Sequence, residues 1–203
     1  MKIIGITGPS GAGKTTVLNV LEELGAEVID CDALYHKLLR EDTALLGRIR
    51  DRFGPAVFDG AGGLDRKALG NVVFHDAAAL AELNQLTHAA VLAALDALLA
   101  RAEGAGRKLA AIDAIALIES GAAEKCAVTV AVTAPAEARV RRLMAREGVS
   151  EDYARARIAA QKPDRFFEDN CDFLLRNDGS RSECRKQARA LFEKVINHLK
   201  EDI

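Results

Sequence analysis

Two hydrophobic periods alternate along this chain, and their order predicts its architecture. Lys2 to Thr7 is a continuous apolar, β-branched run, the pattern of a buried strand. From Lys14 to Leu24 the period lengthens to that of a helix, with Val17, Leu18, Leu21 and Leu24 on one side and Gly25 as a stop. Glu27 to Asp30 is strand-like again. Strand, glycine-containing bend, helix and strand in this order predict a βαβ unit and a parallel sheet. The following stretch has almost no strand character and predicts helices over Asp32–Leu39, Thr43–Phe53, Arg66–Val73 and Ala77–Arg101. The turn-rich FGPAVFDGAGGLD stretch interrupts them. A sheet crossover needs far fewer residues, so this part reads as a helical subdomain with its own task. Three more strands are expected at Leu109–Asp113, Ala127–Val132 and Asp172–Leu175. Helices are expected over Pro135–Arg146, from Ser150 to about Gln161, and over Glu183–Leu199. The predicted class is α/β with a five-stranded parallel sheet. Residues 1–32 and 104–203 form the core, 33–103 a helical insert, and about 136–162 an arginine-bearing helical lid.

Composition narrows the partners. A net charge of −2 over 203 residues leaves no basic stretch of nucleic-acid type. Cys31, Cys126, Cys171 and Cys184 form no CxxC pair, so free thiols in a reducing compartment are expected. The start lacks a basic segment followed by a long apolar one, and charge or glycine breaks the apolar runs well short of a membrane span. The expectation is a cytoplasmic protein, monomeric or weakly homo-oligomeric, that acts on a small molecule without nucleic acid or membrane.

The chemistry begins at GPSGAGKT. Gly8, Gly13, Lys14 and Thr15 fit the pattern GxxxxGK[ST]. Glycines let backbone amides converge on an anion, and the helix starting near Lys14 aims its positive end at the same point. Gly8, Pro9, Ser10, Gly11, Ala12, Gly13, Lys14, Thr15 and Thr16 are therefore candidate ATP contacts. Lys14 reaches the outer phosphates and the Thr15 hydroxyl is a ligand of Mg2+. The loop leaves the phosphoryl acceptor open.

VIDCD bears on the acceptor. Asp30 and Asp32 are two apart, which on a strand sets both on one face, at the sheet edge where ligands bind. Asp32 is expected to orient and deprotonate an acceptor hydroxyl with help from Mg2+, of which it is a candidate ligand beside Thr15; Asp30 supports it. Capping of the next helix is the competing role. His36, one turn beyond Asp32, either touches the acceptor or pairs with that aspartate. Farther along, Arg139, Arg142 and Arg146 share one helix face and suit multidentate phosphate contact, as parts of a lid that Arg155 and Gln161 complete. Asn177, in RNDGS, is expected near the adenine ring.

With these stretches in view, the chain resembles the dephospho-CoA kinase family. The resemblance rests on GITGPSGAGKTT, VIDCDALYHKLL, FGPAVFDGAGGLDRKALGNVVF, LNQLTHAAV, RRLMAREGVSEDYARARIAAQ and FLLRNDGS, and spans nearly the whole chain. It implies a three-layer P-loop NTPase fold of nucleoside-monophosphate-kinase type. It also implies transfer of the ATP γ-phosphate to the 3′-hydroxyl of dephospho-CoA, the last step of coenzyme A biosynthesis. By the same resemblance Asp32 is the base, Arg142 the lid arginine, His88 a substrate-side residue, and the insert the CoA-type substrate holder. Asp113 and Glu119 stand where the family has acids; Asp113 lies near Mg2+ or the acceptor, or caps. The chain departs from the family pattern at Ala89 and Ile115, where proline is usual, at Arg139, where glutamine is usual, and around Arg40 to Thr43, where Pro-Gly is usual. Another nucleoside or nucleotide kinase of this fold and a nucleotide-binding regulatory protein are the competing readings. The second has no Asn/Thr-Lys-x-Asp guanine motif to support it.

Overall fold

The computed structural model describes residues 1–201, with side chains through Leu199. The chain divides into two compact units, Met1–Asp30 with the chain from Leu99 onward, and Cys31–Leu98.

The first unit is built on five strands in the order β2-β3-β1-β4-β5. They are β1 Lys2–Thr7, β2 Glu27–Asp30, β3 Leu109–Asp113, β4 Val128–Thr133 and β5 Phe173–Arg176. All four pairings are parallel. Parallel sheets are covered on both faces, so their strands are apolar throughout instead of alternating. One face of this sheet presents Ile4, Ile6, Leu109, Ala111, Val130, Val132 and Leu175. Against it lie α1 (Lys14–Glu23), through Val17, Leu18 and Leu21, and α9 (Arg181–Glu201), through Ala188, Phe192 and Val195. Gly5 faces the other way, under Leu117 and Cys126. A short helix, α8 (Asp164–Asn170), packs on β4 and β5 with Phe167 buried. The sequence pattern does not predict α8, because seven residues are too few to establish a helical period.

Strand order positions the site. From β1 the sheet grows outward in both directions, toward β3 and β2 on one side and β4 and β5 on the other. Such a reversal opens a crevice beyond the C-terminal ends of the strands. The loop Gly8–Gly13 leaves β1 at that place. In register there, Asp30 pairs with Asp113, so two carboxylate-bearing residues stand side by side where β2 and β3 end. At the opposite edge Cys126 and Cys171 are held protonated. Burial, with the nearby Asp172 charge, pushes the first thiol up to about 12 and the second to about 11. All four cysteines are free thiols.

The second unit holds α2 (Cys31–Glu41), α3 (Thr43–Phe53), α4 (Arg66–Val73) and most of α5 (Ala77–Gly104). Its starts are set by aspartates: Asp42, Asp65 and Asp76 each accept two backbone amides at the openings of α3, α4 and α5. In the turn-rich stretch, Phe58 and Leu64 bridge while Asp59 ties the amides of Ala61 and Gly63 between them. The unit's own core collects Leu39, Leu45, Ile49, Val57, Leu69, Val73 and Leu83.

Two expectations need correction here. The strand ends at Asp30, as its pattern predicts, and α2 starts directly at Cys31, so no strand sets Asp30 and Asp32 on one face. Asp32 thus lies in the first helical turn, where a carboxylate complements the helix dipole, and the two-residue strand period no longer relates it to Asp30. In addition, α5 is long and apolar enough, by length and composition alone, to cross a membrane. Alanine supplies much of that apolarity, and Ala79, Leu83 and Ala90 pack into the core of the second unit.

Phe192 is fully buried at the centre of the first core. Phe192→Ala is expected to cost about 4 kcal/mol by cavity formation, read from urea unfolding; a loss below about 1 kcal/mol would contradict this packing.

Candidate active site

The loop between β1 and α1 is gripped along its carbonyl side. Arg139, in the first turn of α6 (Ala136–Glu147), donates its Nε–H to the Ser10 carbonyl at 3.0 Å. Arg142, one turn on, donates Nη1–H to the carbonyls of Gly11 at 3.1 Å and Ala12 at 3.2 Å, and Nη2–H to the carbonyl of Asn177 at 3.2 Å. The Asn177 amide group donates to the Ala12 carbonyl at 2.7 Å. Three successive carbonyls, of residues 10, 11 and 12, are thus held by cationic or amide donors.

Geometry then fixes the amides. Among the described residues there are no cis peptide bonds, and in a trans peptide the carbonyl and the next N–H point in opposite directions. Holding the Ser10 carbonyl turns the Gly11 amide to the other side; holding the Ala12 carbonyl does the same for Gly13. The Ala12 amide closes a turn onto the Pro9 carbonyl. Gly11 takes φ 78° within that turn, a conformation that glycine adopts without strain. Gly8 lies so near β4 that a Cβ there would come within 2.1 Å of the Val132 carbonyl oxygen. The opening turn of α1 presents its amides to the same concave side, as any helix N-terminus does. The Lys14 ammonium donates to the Gly8 carbonyl at 2.8 Å and so spans the loop.

A second set of bonds secures Ser10. The carboxamide oxygen of Gln161, just past α7 (Glu151–Ala159), accepts the Ser10 amide and an Arg139 Nη2–H; its amide group donates to Ser10 Oγ at 2.8 Å. Helices α6 and α7 form a hairpin around Val140, Leu143 and Ala154. Burial holds the Arg139 guanidinium below the ordinary arginine range, opposed by the Asp164 charge.

The remaining predicted residues are more dispersed. Asn177 is buried, with its side chain against the loop and its Oδ1 without a hydrogen-bond partner. Arg146 pairs with Glu147, while Arg155 donates to Glu137 and Glu151 in an exposed cluster that raises its pKa. Asp32 and His36 share a face of α2; the His36 ring lies 5.3 Å from that of Tyr35, and its Nδ1 is buried without a hydrogen-bond partner. His88 sits within α5, half-buried, and Glu119 in the exposed turn after β3. Pro9 and Thr16 flank the gripped segment, with the Thr16 amide bonded to the Gly13 carbonyl. Thr15 is exposed at the opening of α1. The Arg139–Gln161–Ser10 set was missed in the sequence as a unit, since a charged side chain buried against backbone carbonyls leaves no periodic trace.

A family model described as dephospho-CoA kinase matches residues 2–183. The chain belongs to the dephospho-CoA kinase family. Its activity is ATP-dependent phosphoryl transfer. The dephospho-CoA kinase of Geobacter sulfurreducens is 35% identical over 194 residues, 96% of this chain and 98% of the relative. A crystal structure from Thermus thermophilus superposes with a TM-score of 0.78 at 36% identity, covering 95% of this chain and 97% of the other. The dephospho-CoA kinase from Campylobacter jejuni superposes with a TM-score of 0.67 at 25% identity, covering 96% and 98%.

Against the family pattern, the departure at Ile115 leaves a 38% exposed side chain just beyond β3, its carbonyl accepting the Thr7 hydroxyl at 3.2 Å. The departure at Arg139 falls inside the grip itself.

Gly8→Ala is expected to destabilise the protein by about 3 kcal/mol, because a backbone carbonyl cannot move aside cheaply, and to abolish ATP binding. Calorimetric titration and thermal melting test both; wild-type ATP affinity in this variant would refute the close approach.

Proposed function

We propose that this chain transfers the γ-phosphoryl group of ATP to the 3′-hydroxyl of dephospho-CoA, giving CoA and ADP. The observation that carries the reading is the loop whose carbonyls at residues 10, 11 and 12 are held by Arg139, Arg142 and Asn177, at the reversal point of a parallel sheet. Its amides suit a polyphosphate, and hydrogen bonds to charged oxygens are roughly twice as strong as neutral ones. The Lys14 ammonium exchanges the Gly8 carbonyl for the outer phosphates when nucleotide enters. Charge builds on those oxygens during transfer, so positioning and electrostatics supply most of the catalysis.

The donor set fits magnesium. The exposed Thr15 hydroxyl and the paired Asp30 and Asp113 offer hard oxygen ligands, while no group of three or more His, Cys, Asp or Glu among the described residues forms a metal cage of its own. That composition suits a cation carried in by the triphosphate, which would supply charge neutralisation between the phosphates. Thr15 would hold it, with Asp32 as a further ligand.

In the transfer step the acceptor oxygen forms a bond to the γ-phosphorus while the bond to the β–γ bridging oxygen breaks. ADP leaves, and the acceptor proton passes to the Asp32 carboxylate. For the acceptor, His36 and His88 are the candidate contacts of the helical insert, 33–103, and Asp113 and Glu119 those of the core. Arg142 serves through its hold on the loop, and Asn177 faces the nucleotide base from the same bracket. Arg146 and Arg155 now engage exposed carboxylates that solvent screens, so exchange for phosphate oxygens or substrate on lid closure costs little.

A coupled assay of ADP release with dephospho-CoA tests this reading. Wild type is expected to turn over, and Asp32→Asn to lose at least ~100-fold in kcat. Equal rates would remove Asp32 from the role of base. Phosphorylation of a nucleoside or nucleotide, with none of dephospho-CoA, would overturn the acceptor.

A further inference from the structure

Arg139 stands out from the other arginines of its helix. It is 5% exposed, whereas Arg146 lies on the surface. A buried guanidinium persists when it finds acceptors, and here Nε–H meets the Ser10 carbonyl and an Nη2–H the Gln161 carboxamide oxygen. Gln161 returns to Ser10 twice, taking its amide and donating to its hydroxyl. Every polar atom of Ser10 is therefore used in holding the residue still. Ser10 is an anchor, and the next amide, Gly11, is the one this anchor aims.

The anchor joins three places in the chain. Arg139 belongs to the first turn of α6, and Gln161 follows the end of α7. Both roots of the α6–α7 hairpin thus converge on a single loop residue, while its tip at Gly148 and Ser150 is exposed. A guanidinium committed to these bonds does not reach a phosphate without leaving a buried charge and a buried carbonyl unmatched.

We propose that Arg139 is a positioning residue: its fork, shared with Gln161, holds the Ser10–Gly11 peptide with the Gly11 amide toward the nucleotide and pins both roots of the hairpin to the phosphate loop. This rests on the reading of the loop as the ATP site. The role depends on the fork and not on the charge. Lysine keeps the charge but has one compact ammonium in place of planar donors in fixed directions.

Arg139→Lys and Gln161→Ala are the variants to measure, each by steady-state kinetics with ATP and dephospho-CoA varied in turn. The expected result is a rise in KM for ATP of about tenfold or more in each, the loss of one charge-assisted contact, with KM for dephospho-CoA unchanged. The double variant is expected to be no worse than the poorer single one, since both substitutions break one unit. Wild-type KM for ATP in Arg139→Lys would overturn the proposal, because charge alone would then suffice. An equal rise in both KM values would also overturn it, as general damage. If Arg139→Lys does not fold, Gln161→Ala carries the same test with the same two outcomes. A wild-type protein without turnover would instead overturn dephospho-CoA as the acceptor, a result distinct from either. ATP affinity by calorimetric titration of the same variants then carries the test, with a loss of about tenfold expected and wild-type affinity in Arg139→Lys overturning it.

Discussion

The site depends on the capture of three consecutive carbonyls. An isolated loop of glycine and small residues samples many peptide orientations, and its amides converge on nothing in particular. Arg139, Arg142 and Asn177 remove that freedom by bonding the oxygens of residues 10, 11 and 12. Planarity of the peptide group does the rest, sending the amides of Gly11 and Gly13 to the opposite side. Positive charge on the rear of the loop also adds to the potential that an anion meets at its front. The cost of organising the anion site is met during folding, before any nucleotide arrives, which is the sense in which such a site is preorganised.

The rest of the first unit follows from this need. The loop requires a fixed strand before it and a fixed helix after it, and β1 is the central strand of the sheet. Ile4 and Ile6 lock β1 into the same core that Val17, Leu18 and Leu21 of α1 enter. The grip comes from elements far along the chain: α6 follows β4, and Asn177 follows β5, with its amide on the Thr133 carbonyl at 2.7 Å. Pairing of β4 with β5 therefore brings Asn177 to the loop, and the sheet register is a condition of the site. The second unit, with its own core and its three aspartate-capped helices, is a separate piece of folding.

Much of this was legible in the residues. Periodicity placed β1, α3 and α4 at the bounds they have, because Lys2–Thr7, Thr43–Phe53 and Arg66–Val73 carry unambiguous patterns and clear caps. The glycine loop declared its anion chemistry through spacing alone. Other features had no local signal. The pattern ends the strand at Asp30 and starts a helix at Asp32, yet the two aspartates were expected to follow the strand period; the helix starts at Cys31 without a loop, so that relation does not hold. Arg139, Arg142 and Arg146 share a helical period, but the period does not say which of them meet backbone carbonyls and which meet solvent. Burial separates them, and burial depends on β4, β5 and the loop meeting in space. RNDGS marks Asn177 as a nucleotide-side residue, but the bond of its amide group to the Ala12 carbonyl, 165 positions away, has no sequence rule behind it.

The direction of the loop amides is open to direct measurement. Titration of 15N-labelled protein with inorganic tripolyphosphate, followed by amide NMR, isolates the anion site from base and acceptor. The account predicts that the amide resonances of Gly11 and Gly13 move downfield with saturation, well beyond those of Gly25 and Gly106. Saturation with these two amides unmoved, or the largest shifts elsewhere, would contradict it.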